Sequence, residues 1–113
     1  MISVSIYRSK KKRIWGFTVH DHGGTNVCAA VSLLTLNTVN SIEVLTDEVL
    51  ECEYDPAGGF LQFELPEVKK GKDSPKADIL LEAMALGLRS VKENYRSEIE
   101  VSEMEISEYR NKG

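Results

Sequence analysis

Residues 17–32 read FTVHDHGGTNVCAAVS, and this stretch joins a predicted strand to a predicted helix. Before it, apolar and polar residues alternate, which is the period of a half-buried strand. After it, apolar residues recur at three- and four-residue spacing, which is the period of a helix face. Both histidines and one of the two cysteines of the chain lie in this connection.

Outward from this stretch, the pattern predicts five strands and two helices. The turn chemistry of Asp55–Gly59 indicates a hairpin, since Pro fixes φ and Gly permits positive φ. The charged segment 67–75 is expected to be a loop, and Ser74 with Pro75 to begin the second helix. The fold class is therefore expected to be α+β, an antiparallel-rich sheet with two helices in the order β-β-α-β-β-α-β. The strands are expected at 2–7, 14–19, 48–54, 60–65 and 99–106, and the helices at 28–45 and 76–95.

Composition bounds the class of protein. The 113 residues are 42% apolar and 28% charged, which fits a single globular domain over residues 1–113. The net charge of −4 argues against direct nucleic-acid binding, which normally needs a basic face. We expect no secretory signal and no membrane span, and hence a cytoplasmic protein whose two cysteines are reduced thiols.

Cys28 opens the first predicted helix. Free N–H groups and the positive end of the helix dipole stabilise an anion there, and the thiolate is the reactive form of cysteine. The N–H groups of Cys28 or Ala29 could form an oxyanion site. Strand alternation puts His20 and His22 on one face, so either could act as the base for Cys28.

Two other interpretations of these residues stay open. A cysteine beside alanines at a helix start is often only a small core residue. A zinc site could use His20, His22 and Cys28, although a fourth ligand is not evident. Cys52, in an apolar strand, is expected to be structural.

The segment Val27–Ser32 (VCAAVS) resembles the nucleophile motif of the ribosomal-processing cysteine protease family. Members typically show Gly-His-Ala, a glycine-containing loop, and then Asp-Ile-Val-Cys-Ala-x-x-Ser. Residues 37–42 and Gly58-Gly59-Phe60 extend the resemblance to the family's first helix and second hairpin. It implies that Cys28 is the nucleophile and His22 the catalytic histidine of a Cys-His dyad. The substrate-binding residues are expected to be Ser32, Ala29, Gly23 and Gly24.

The resemblance also implies a reaction and its partners. We expect an endopeptidase that removes the N-terminal extension of a large-subunit ribosomal protein during ribosome assembly, as a homodimer, with no cofactor and no metal. The chain departs from the family's pattern at Asp21, Gly23 and Thr25, which stand where the family has Gly, Ala and Asp. Its loop from histidine to cysteine is also shorter. A catalytically impaired binding module of the same fold, acting in ribosome assembly, is therefore the alternative.

Overall fold

The computed structural model describes residues 1–20 and 25–106, and within them the chain forms five strands and three helices. In chain order these are β1 (Ile2–Arg8), β2 (Ile14–His20), α1 (Thr25–Leu45), β3 (Glu51–Tyr54), β4 (Phe60–Glu64), α2 (Pro66–Lys69), α3 (Pro75–Asn94) and β5 (Ile99–Glu105). The predicted α+β class is confirmed.

The five strands form one mixed sheet in the order β3-β4-β2-β1-β5. β2 pairs antiparallel with β1 and with β4, and β4 pairs antiparallel with β3. β5, however, lies parallel to β1, with Ile2 opposite Ile99. The expectation of an antiparallel-rich sheet was wrong, because α3 carries the chain back along the sheet before β5 begins.

The predicted element order also missed one helix. Residues 66–69 form the short helix α2, so the order is β-β-α-β-β-α-α-β. Pro66 stands in the first turn of α2, where its fixed φ favours a helix and its missing N–H costs nothing. Ser74 precedes α3 as expected, but its side chain makes no capping hydrogen bond.

The core lies on the sheet face that the two long helices cover. Alternate residues of β1 point to this face, and Phe17 of β2 stacks on Phe63 of β4 at a centroid distance of 5.2 Å. The helices contribute Val31 and Ile42 from α1 and Leu81 and Leu88 from α3, all buried. The core therefore fixes α1 above the sheet.

Helix α1 is long and apolar enough to cross a membrane by length and composition alone, with a mean hydropathy of 1.4. In the fold, Val27, Val31, Val39 and Ile42 of this helix are buried in the protein core. One face of α1 therefore packs against the rest of the domain, whereas its other large apolar side chains are exposed, namely those of Leu33, Leu36, Val44 and Leu45.

The single tryptophan fastens the end of β5 to the sheet. Trp15 is only 5% exposed, stacks on Tyr7 at 5.2 Å, and lies under the ammonium group of Lys69. Its indole Nε1–H donates a hydrogen bond to the Ile106 carbonyl at 2.9 Å. The Ile106 N–H in turn donates to the Arg8 carbonyl, so Ile106 is held by one residue of β1 and one of β2.

Candidate active site

A cavity of about 490 Å³ lies between α1 and the β3–β4 hairpin. Side chains of α1 form one wall and the hairpin forms the other, while Ile2 and Val19 contribute from the sheet. The residues from α1 are Cys28, Val31, Ser32, Thr35, Leu36 and Asn40, and those from the hairpin are Tyr54, Asp55, Gly58, Gly59, Phe60 and Leu61. The volume falls in the range of sites that hold small ligands or peptide side chains.

Cys28 and Ser32 lie one helical turn apart on the wall formed by α1. Residues four apart share a helix face, so both side chains reach the same cavity. Cys28 is half-buried and packs against the core, whereas Ser32 is exposed. The structure therefore places a thiol at the boundary between the core and an open cavity, where a substrate can approach it.

Helix α1 begins at Thr25, three residues before the predicted start. In a regular α-helix the Ala29 N–H donates to the carbonyl four residues earlier, that of Thr25. The Ala29 amide thus lies within the helical hydrogen-bond pattern. Its side chain is exposed and does not line the cavity with Cys28. Neither observation supports an oxyanion role for Ala29.

Of the two histidines of the chain, the structure describes His20, which ends β2. His20 lies opposite Ser3 and Phe60 in the sheet, and its ring contacts that of Phe60 at 5.1 Å. Successive strand residues point to opposite faces, and Val19 is the one that lines the cavity with Cys28. His20 therefore lies on the opposite sheet face from Val19, and it does not line the cavity. His22, Gly23 and Gly24 lie outside the described residues.

The second cysteine is in a different setting. Cys52 lies on β3, where all four residues are exposed. Partial burial of the thiol, followed by the negative charge of Glu43, raises the pKa of Cys52. Cys52 is therefore a weaker nucleophile at neutral pH than an ordinary cysteine.

The described residues contain no group of three or more His, Cys, Asp or Glu side chains that could hold a metal ion. Of the three proposed zinc ligands, His20 does not line the cavity with Cys28, and His22 is not among the described residues. The described part of the chain thus gives the zinc interpretation no support.

The turn at residues 55–59 determines the shape of the hairpin that forms one wall of the cavity. The Asp55 Oδ1 accepts a hydrogen bond from the Ala57 N–H at 2.9 Å, and the Asp55 carbonyl accepts one from the Gly58 N–H at 2.8 Å. Gly58 and Gly59 both have φ of 92°, a conformation that a residue with a Cβ rarely adopts. The sequence predicted this turn correctly, but no local pattern indicated that it would face Cys28.

Comparison with known proteins decides the family. The sequence model of the cysteine protease Prp family matches residues 1–100. The ribosomal processing cysteine protease Prp of Bacillus subtilis is 32% identical over 108 residues, covering 90% of this chain and 96% of that protein. This chain belongs to the cysteine protease Prp family.

Solved structures agree with the family on fold. An essential ribosomal processing protease of S. aureus, solved with a covalently linked product peptide, matches with a TM-score of 0.83 at 25% identity. The match covers 92% of this chain and all of that one. The protein SMU.848 of Streptococcus mutans matches with a TM-score of 0.81 at 30% identity, covering 94% of this chain and 96% of that one.

Proposed function

We propose that this protein is a cysteine endopeptidase that removes the N-terminal extension of a large-subunit ribosomal protein. The observation that carries the proposal is the Cys28 thiol, half-buried at the edge of a cavity of about 490 Å³, in a member of a cysteine protease family. A thiol in this position can meet a peptide carbonyl whose neighbouring side chain occupies the cavity.

The reaction runs through an acyl-enzyme. His22 takes the proton of the Cys28 thiol as Sγ forms a bond to the scissile carbonyl carbon, and the peptide C–N bond breaks as His22 delivers that proton to the leaving amine. Water then attacks the resulting thioester while His22 accepts its proton. The C–S bond breaks, and His22 returns the proton to the departing Cys28 thiolate. His22 is six residues before Cys28, within reach of a chain that extends at most about 3.6 Å per residue.

Two features favour His22 over His20 as the base. The family resemblance aligns His22 with the catalytic histidine, and His20 is not among the residues that line the cavity. We assign Ser32 to contact with the substrate, because it lines the same cavity as Cys28. We assign Gly23 and Gly24 to the same binding role, because glycine lets a backbone approach closely.

The substrate follows from the relatives and from charge. The Bacillus subtilis and Staphylococcus aureus relatives are named ribosomal processing cysteine proteases. A basic ribosomal protein precursor also suits a chain of net charge −4. We assign the protein to the cytoplasm as a homodimer, acting on protein rather than on nucleic acid or membrane, and without a cofactor.

A catalytically impaired binding module is the second candidate. It is favoured by Asp21, Gly23 and Thr25 in place of the family's Gly, Ala and Asp, and by the shorter loop between His22 and Cys28. Such a protein would still hold the ribosomal precursor in the cavity but would not cleave it.

The test is a cleavage assay on the extended ribosomal protein, read by mass spectrometry. We expect the intact protein to release the extension, Cys28→Ala to release none, and the matched control Cys52→Ala to retain full activity. Binding of the precursor without cleavage by a folded chain would favour the binding module. Equal loss in both cysteine variants would contradict the role given to Cys28.

A further inference from the structure

Among the residues that the structure describes, no strand pairs with the outer edge of β3, which lies next to the cavity. In the sheet order it is the terminal strand, paired with β4 on one side, and all four of its residues are exposed. An edge strand presents unpaired backbone N–H and C=O groups, and an extended chain can pair with them.

The register identifies which groups are free. The Asp55 N–H donates to the Phe60 carbonyl at 3.1 Å, so these opposed residues form a hydrogen-bonded pair. Hydrogen-bonded and non-hydrogen-bonded pairs alternate along antiparallel strands. The N–H and C=O groups of Cys52 and Tyr54 therefore point away from β4, to the open edge.

This edge is continuous with the cavity that contains Cys28. A second depression lies over β3, and Tyr54, Asp55 and Phe60 line both it and the cavity. β2 and β3 run in the same direction, since each is antiparallel to β4. Tyr54 thus lies at the end of the sheet where β2 ends, close to the start of α1.

We infer that the polypeptide substrate binds as an added strand along β3, its backbone pairing with Cys52 and Tyr54. This inference rests on the proposed function, because it takes the substrate of Cys28 as the occupant. The side chains of Glu51 and Glu53 are exposed on this strand, which favours a basic peptide. The same charges disfavour edge-to-edge pairing with a second copy, which would place carboxylates near one another.

The test uses synthetic peptides that span the N-terminal extension, each N-methylated at one backbone amide. In an added strand, the backbone N–H of every other residue donates to the strand beside it. Peptide binding should therefore be sensitive to N-methylation at alternate positions on one side of the scissile bond. Loss of one hydrogen bond should weaken binding about tenfold at those positions and little at the positions between them. Binding is measured by fluorescence anisotropy with the Cys28→Ala protein, so the readout does not require cleavage.

Two substitutions at one residue separate backbone from side chain. Tyr54→Pro removes the outward N–H, which an edge strand tolerates, while Tyr54→Ala keeps it. Because Tyr54→Pro loses one donor to a peptide carbonyl, we expect it to bind the unmethylated peptide about tenfold more weakly than Tyr54→Ala does, with thermal unfolding confirming that both fold.

The outcomes distinguish the two proposals. An alternating pattern without any cleavage by the intact protein would refute the proposed function and retain the strand pairing. Cleavage without alternation, or equal peptide binding by Tyr54→Pro and Tyr54→Ala, would refute the strand pairing and retain the peptidase. Loss of dimerisation in Tyr54→Pro with unchanged peptide binding would assign the edge to a second copy instead.

Discussion

Gly16 of β2 lies where the sheet leaves no room for a side chain. A Cβ built on it would lie 2.6 Å from the carbonyl oxygen of Phe63 on β4, about 0.8 Å short of the 3.4 Å at which ordinary contact begins. Because the obstacle is backbone, relief requires the strands to move apart. The neighbouring bond from the Leu65 N–H to the Trp15 carbonyl, now 2.7 Å, would stretch to about 3.5 Å, the limit of a useful hydrogen bond.

Gly16→Ala should therefore lower the free energy of unfolding by about 1–3 kcal/mol, as overpacking of cores does. For a domain of this size, that corresponds to a fall in Tm of about 4 °C per kcal/mol. The assay is thermal unfolding followed by circular dichroism, with the peptidase activity measured well below the transition. We expect kcat/KM to be retained there, since Gly16 is near the end of β2 remote from the cavity.

Gly87→Ala is the matched control. Its added Cβ would also be close to a neighbour, at 2.8 Å, but that neighbour is the terminal Cδ2 of Leu34, which can rotate. Alanine in a helix interior also gains about 1 kcal/mol over glycine. The control should unfold near the temperature of the unmodified protein. Equal Tm values for all three proteins, or a larger fall for Gly87→Ala, would refute the argument from the fixed backbone.

Two further predictions concern the histidines and acid stability. His22→Ala should lower kcat by about 100-fold or more, as loss of a general base does, while His20→Ala stays near the unmodified value; equal losses would undo the assignment. Hydrogen bonds from Arg8 lower the pKa of Glu82, so this carboxylate stabilises the fold above its unfolded pKa, and the contribution is lost as pH falls through the folded pKa. Glu82→Gln should therefore reduce Tm at pH 7, with the difference shrinking below about pH 4; a difference independent of pH would contradict this account.

Local patterns predicted most of the elements. Alternation in Ile2, Val4 and Ile6 identified β1, and Pro and Gly chemistry identified the turn at 55–59, because both signals depend on residues close in sequence. The start of α1 was placed three residues late, since Thr25 and Asn26 carry little apolar periodicity. The end residues of a helix are the feature that a sequence pattern predicts least precisely.

Long-range features were beyond the sequence pattern. The parallel pairing of β5 with β1 depends on where α3 returns the chain, and the last strand carries no signal for its direction. Phe60 and Cys28 line the same cavity, although most of α1 and all of β3 lie between them in the sequence. A local pattern around one of these residues therefore cannot indicate its contact with the other. Cys28 could be proposed as the nucleophile because the motif around it is local, whereas the cavity became evident only in the structure.

The position of Trp15 provides a spectroscopic reporter without any label. As the single tryptophan, stacked on Tyr7 and hydrogen-bonded to the Ile106 carbonyl, it should respond in emission wavelength when β5 leaves the sheet. It is five residues from the end of β2, about 17 Å along the strand, so occupancy of the cavity should leave its emission nearly unchanged. Undocking of the last strand and binding of substrate can thus be followed in one sample as two separate signals.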